Sequence, residues 1–219
     1  MRFSDYQHIV WDFNGTILDD LGIDLEVVNL LLARRGLPVI PTKEAYRAVF
    51  GFPIEDYYRR IGFDFTKESY ADVAEEWLVE YRAREATAPV REGVLSVLDF
   101  ISSKNLPQTV ISASELGILT EQLDALGIKD RFEKICGIDN IYAASKTALA
   151  VTWAKSRCPG RVLMIGDTDH DAETARAAGF DLVLVEGGHM SRSALLKTGA
   201  SVFSDFDKLL EAFSNDLEF

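Results

Sequence analysis

Apolar residues along this chain fall into two kinds of pattern. Four short runs are almost continuously apolar: HIVWDF (8–13), QTVISA (108–113), RVLMIGD (161–167) and FDLVLVEG (180–187). Each has strand length, is rich in Val and Ile, and ends in Gly, Asp or Ser, which predicts a β-strand. Apolar side chains on both faces of a strand point to a parallel sheet covered by helices. Two weaker runs, EKICGI (133–138) and ASVFSD (200–205), predict further strands. Between the runs, apolar positions recur with helical period in GVLSVLDFISSKN, ELGILTEQLDALG and DAETARAAG, and the last two close on a glycine.

Strand and helix alternate in this way from residue 90 to the C-terminal end, as in a doubly wound α/β fold. The first strand stands apart from the others. Residues 18–88 carry helical patterns (LDDLGIDLEVVNLLLARRG, TKEAYRAVFG, KESYADVAEEWLVEYRAREA) and no convincing strand. The expectation is therefore a Rossmann-like, doubly wound parallel sheet formed by residues 1–17 and 89–219. An all-helical cap, residues 18–88, is inserted after the first strand, and a chain of 219 residues has room for both.

Composition narrows the function. With 47% hydrophobic and 26% charged residues the chain has the makeup of a globular protein with a real core. Its net charge of −12 offers no basic face to nucleic acid or to an anionic membrane. Cys136 and Cys158 are too few for a disulfide framework, and their spacing matches no zinc motif. The opening MRFSDYQHIV has no targeting pattern, and no run is long enough to span a bilayer, so a cytoplasmic location is expected. The oligomeric state is left open by the sequence.

Ligands of open α/β sheets bind beyond the carboxyl ends of the strands. Those ends carry Asp12 and Asn14, then Ser112 and Ser114, then Asp167, while Lys146 opens a helix. Together they offer a carboxylate nucleophile, oxygen ligands for Mg²⁺, a cation to balance phosphate and a hydroxyl to bind it. Taken singly, each has a plainer reading: Asp167 as a helix N-cap, Lys146 as a solvated charge, Ser112 as a turn hydroxyl.

The order of these patterns resembles the haloacid dehalogenase superfamily, and within it the phosphoglycolate-phosphatase-like members with a helical cap. WDFNGTIL (11–18), VISAS (110–114), Lys146 in AASKTAL and IGDTDHDAETARAAG (165–179) match its four motifs in order, over essentially the whole chain. The resemblance implies a Mg²⁺-dependent hydrolase of a small phosphorylated metabolite. In that mechanism Asp12 attacks phosphorus and forms an aspartyl-phosphate, which water then hydrolyses. The metal would be held by the Asp12 side chain, the Asn14 backbone carbonyl and Asp167, with Asp171 supporting the shell. Lys146 would neutralise charge, while Ser112 and backbone amides around Gly15, Thr16 and Ala113 would hold the phosphate oxygens.

Position 14 departs from the pattern. Phosphatases of this family usually carry a second Asp there, which protonates the leaving group and then activates water. An amide does neither. Two histidines at the same end of the sheet, His170 and His189, are candidates to replace it or else plain loop residues; His8 lies at the opposite end. Without an acid, aryl, acyl or anhydride phosphates should be favoured over alkyl esters. Specificity is expected from the cap, where FGFPIEDYYRR (50–60) has two readings. Tyr57, Tyr58, Arg59 or Arg60 contact a leaving group, or Phe50, Phe52 and Tyr57 form cap core and the arginines are solvated. The linkers Leu18–Asp20 and Ala88–Val90 are the expected hinges. A haloacid dehalogenase and a phosphoryl-ligand module without turnover remain the alternatives.

Overall fold

In the computed structural model, which describes residues 2–138, 145–157 and 160–219, six strands form one parallel sheet. They are β1 (His8–Trp11), β2 (Gln108–Glu115), β3 (Lys134–Ile138), β4 (Val162–Gly166), β5 (Asp181–Val185) and β6 (Ser201–Phe203), in the spatial order β3-β2-β1-β4-β5-β6. Trp11 pairs with Val110 on one side and Ile165 on the other, so β1 is central. The strand order reverses between β1 and β4, and at that switch point the crevice of a doubly wound sheet opens.

Strand residues alternate between two apolar layers. Ile9, Trp11, Leu163, Ile165, Val183 and Val185 pack with α5 (Val94–Ser103), α6 (Leu116–Ala125) and α10 (Phe206–Ser214). Val10, Met164, Leu182 and Leu184 pack on the other face with α7 (Lys146–Arg157), α8 (Asp169–Ala178) and α9 (Arg192–Leu196). Both faces of the central strands are covered, hence their continuous hydrophobicity. Cys136 is partly buried on β3, and Cys158 lies outside the described residues.

Between β1 and β2 the chain forms α1 (Leu21–Arg34), α2 (Lys43–Val49), α3 (Ile54–Arg60) and α4 (Tyr70–Arg82). Thr42 and Ser69 cap α2 and α4 by accepting from Ala45 N and Asp72 N. The two linkers to this helical segment run side by side: Leu18 bridges Val90 in antiparallel fashion, and Asp19 N donates to Pro89 O at 2.9 Å. Arg91 N donates to Ile17 O at 2.8 Å, continuing the pairing toward the sheet. Among the described residues no helix is long and apolar enough to cross a membrane.

Candidate active site

Past β1 the chain folds into a tight turn in which the amides of Thr16, Ile17 and Leu18 all point at Phe13 O. Gly15 makes the turn possible, with φ +73°; a Cβ there would lie 2.4 Å from both Asp167 Oδ2 and the His189 ring. The turn delivers the Thr16 hydroxyl to two carboxylates, at 3.1 Å from Asp12 Oδ2 and 2.7 Å from Asp167 Oδ1. The amides of Gly15 and Thr16 are engaged inside the turn, Gly15 N with Asp20 Oδ1 and Leu18 O, Thr16 N with Phe13 O. Expected as phosphate donors, these two amides are instead spent on shaping the loop.

After β4, the helix cap of α8 is Thr168, not Asp167: its side chain accepts from Asp171 N, and Asp171 returns a bond to Thr168 N. Asp167 is therefore free of that duty and faces Thr16 and the backbone N–H of His189, 2.7 Å from its Oδ2. Gly188 permits this approach, since a Cβ there would meet Asp167 Oδ2 at 2.1 Å. Asp171 Oδ2 accepts from Asp167 N, Thr168 N and Thr168 Oγ1 at 3.0, 2.9 and 2.8 Å. Its Oδ1 faces the Lys146 ammonium, which also bonds Asp12 Oδ1. Ser145 caps α7 through Ala148 N, which fixes Lys146 at the first helical position and turns it inward.

Asp12, Asp167 and Asp171 each bring a carboxylate oxygen within 4.8 Å of the others. Burial pushes the Asp12 carboxyl up to about 8, with Asp171 and Asp167 adding and Lys146 opposing. Burial likewise raises Asp167, whereas the Lys146 contact overrides burial and holds Asp171 low. Against its burial, Asp12 and Asp171 keep Lys146 charged.

A second buried network, which the sequence did not foretell, joins the helical segment to the sheet. Asn14 Nδ2 donates to Asp20 Oδ2 at 2.7 Å and to Tyr81 OH at 3.1 Å, and its Oδ1 accepts from Ser114 Oγ at 2.8 Å. Tyr81 OH also donates to Asp20 Oδ2. His189 lies 3.2 Å from Asp20 Oδ1 through Nε2 and 3.1 Å from Tyr46 OH through Nδ1, while Tyr46 OH and Trp77 Nε1 donate to Asp24. Although burial opposes it, Asp20, with Asp24 and Asp167, pushes His189 up to about 10, so the ring is a cation near neutrality. Asp20 is held low in return. The other candidate histidine, His170, is half-buried against the Phe52 ring, and burial with Lys146 nearby lowers its pKa. His8 hydrogen-bonds Thr109 at the far end of the sheet.

A cavity of about 470 Å³ reaches part of both networks, while Thr16, Asp167 and Asp171 lie fully buried behind its wall. Asp12, Asn14, Ser112, Ala113, Lys146, His170 and His189 line it from the sheet side, and aromatic residues of α2, α3 and α4 from the other. Ala113 lies where the register of β2 on β3 shifts between Ile111 and Glu115. Tyr57 and Tyr58 are buried and line the cavity, as does Phe52. Arg59 pairs with Glu55, and Arg60 donates to Val49 O and Gly51 O. The tyrosines thus combine both expectations for this stretch, core and cavity wall, and the arginines are tied down elsewhere.

The fold, the strand-end carboxylates and the sequence agree on a class: residues 9–185 match the haloacid dehalogenase-like hydrolase family, and the chain belongs to it. Within that family it is similar to a phosphoglycolate phosphatase of Caulobacter vibrioides, 29% identical over 83% of this chain and 79% of that one. It is also similar to the tyrosine-protein kinase PtkA of Mycobacterium tuberculosis, 27% identical over 94% of this chain and 72% of that one. A haloacid dehalogenase-like hydrolase from Streptococcus pneumoniae has the same fold, with a TM-score of 0.81 at 20% identity, covering 96% of this chain and 99% of that one.

Proposed function

We propose that this protein is a cytoplasmic, Mg²⁺-dependent phosphatase of small phosphorylated metabolites, with Asp12 as its covalent nucleophile. The observation that carries this reading is the setting of Asp12. It stands at the cavity floor with one oxygen on Lys146 and the other on Thr16. Among the described residues four deeply buried carboxylates (Asp12, Asp20, Asp167 and Asp171) face two buried cations (Lys146 and His189), and such a deficit favours a further cation. All the donors are hard oxygens, which suits Mg²⁺. Asp12, Asp167 and the Asn14 carbonyl would hold the ion, and Asp171, already saturated with hydrogen bonds, would orient Asp167 and Lys146. When bound, the metal supplies charge neutralisation for the attack.

Asp12 attacks phosphorus, the leaving group departs with the bonding pair, and water then cleaves the aspartyl-phosphate. Ser112, Ala113 and Lys146 bind the phosphoryl oxygens. Residues 18–88 act as a cap that contributes the far wall of the cavity, with the paired linkers at Leu18–Asp20 and Ala88–Val90 as its hinge. Haloacid dehalogenation needs no metal, and the clustered carboxylates around Asp167 favour the phosphoryl reading over it.

The test is phosphate release from a panel of phosphate esters with and without Mg²⁺. Asp12→Asn should abolish release and Asp167→Ala should remove its Mg²⁺ dependence, both in folded protein. Near-normal activity in Asp12→Asn refutes the mechanism.

A further inference from the structure

The cavity has two regions of opposite character. Around Asp12 it is polar. Beyond, its walls are Phe52, Tyr57, Tyr58, Tyr70 and Trp77, with Leu78 at the rim. Phe52 and Leu78 are each 38% exposed, apolar surface that a ligand in the cavity would cover.

The charge around this apolar region is of one sign. Asp20, Asp24, Glu85 and Glu115 also line the cavity, and among its described residues the only basic side chains are Lys146, His170 and His189. Lys146 is engaged by Asp12 and Asp171, and His189 by Asp20 and Asp24. Residues 139–144, which precede Lys146, contain no Lys, Arg or His. The third basic side chain, His170, lies against the Phe52 ring, and burial, then Lys146, lowers its pKa, so a carboxylate on the leaving group would enter an acidic, low-dielectric space with no free cation to meet it.

The position-14 amide adds a chemical constraint. Both ends of the Asn14 side chain are committed, to Asp20 and Tyr81 on one side and Ser114 on the other, and an amide has no proton to give. A phenolate, whose conjugate acid has a pKa of about 10, departs without an acid far more readily than an alkoxide.

From these three observations we infer that the substrates are phosphate monoesters of uncharged aromatic alcohols, bound with the ring between the aromatic walls. This inference rests on the phosphatase reading. In the step, an Asp12 carboxylate oxygen bonds to phosphorus as the P–O(aryl) bond breaks. The phenolate leaves with the electron pair and takes its proton from solvent, and water then releases inorganic phosphate and regenerates the carboxylate.

The experiment compares kcat/KM for phenyl phosphate, ethyl phosphate and 2-phosphoglycolate with Mg²⁺ present. Burial of one ring predicts a preference for phenyl phosphate over 2-phosphoglycolate of about 30-fold or more. Competitive inhibition by phenylphosphonate and phosphonoacetate reads binding alone, without a leaving group, and should show the same order. Leu78→Arg, at an exposed helix position, should narrow the inhibition ratio by about tenfold by supplying the missing cation. Equal or better use of 2-phosphoglycolate, or an inhibition ratio of unity, overturns the inference. Acetyl phosphate separates the two levels, because it can phosphorylate Asp12 without an aromatic group. Labelling of Asp12 with no aryl preference rejects this inference and leaves the phosphatase reading standing, and no labelling rejects both.

Discussion

Replacing Asn14 by Asp tests the polar network and the chemistry at once. The amide nitrogen lies 2.7 Å from Asp20 Oδ2, so the substitution puts a second carboxylate oxygen, itself partly buried, against the buried Asp20. Two full charges at that separation repel by about 6 kcal/mol at an effective dielectric near 20. Holding a proton on a carboxyl of pKa about 3.9 costs only about 4 kcal/mol at pH 7, so the pair takes up a proton. The new carboxyl then has a raised pKa in the folded state. Its penalty is absent below about pH 4 and grows by about 1.4 kcal/mol per pH unit until that raised pKa is passed. Urea denaturation followed by tryptophan fluorescence should show Asn14→Asp destabilised by about 2–4 kcal/mol at pH 7 and by about 1 kcal/mol at pH 5. A carboxyl that keeps its proton near neutrality is also a general acid, so turnover of an alkyl phosphate should rise by about 100-fold. A destabilisation that does not vary with pH would refute the Asp20 contact. Unchanged alkyl turnover would refute the account of the missing acid and point to His170 or His189.

Two further outcomes follow from the buried charges. His189→Gln leaves Asp20 and Asp24 without their cation and should lower stability by about 3–5 kcal/mol at pH 7. Because His189 is raised from 6.5 to about 10, its contribution is complete below pH 6.5 and fades toward pH 10, so the gap between wild type and variant should close over that range. A constant gap contradicts a charged His189. Mg²⁺ binding displaces the proton from Asp12, pushed up to about 8, so thermal stabilisation by Mg²⁺ should grow from pH 6 to 8 and then level off. A shift insensitive to pH contradicts ligation by Asp12.

Legibility in the sequence followed burial. Strands β1, β2, β4 and β5, covered on both faces, left unmistakable apolar runs, whereas β3 is partly exposed and β6 spans only Ser201–Phe203, so both left weak ones. The helix α3 was hidden because Pro53 precedes it and its residues are mostly aromatic or charged, without a clean apolar stripe. Helix α10 went unmarked, although Asp205 caps it through Lys208 N. Asp12, Lys146, Asp167 and Asp171 were legible because strand ends and helix starts place polar groups predictably. The network around Asn14 was not, since Asp20 and Asp24 at the start of α1, Tyr46 of α2, and Trp77 and Tyr81 of α4 meet only in three dimensions. One signal was available: Asp20 and Asp24 stand four residues apart beside the apolar stripe of α1, where buried acids need partners.

The covalent role of Asp12 is open to direct measurement. Protein mixed with acetyl phosphate and Mg²⁺ is quenched in acid within the first turnovers, digested, and the phosphorylated peptide located by mass spectrometry. The account predicts one hydroxylamine-labile acyl phosphate on Asp12, lost in Asp12→Asn and accumulating in wild type because Asn14 cannot activate the attacking water. Phosphate on any other residue, or turnover with no labelled peptide, would contradict it.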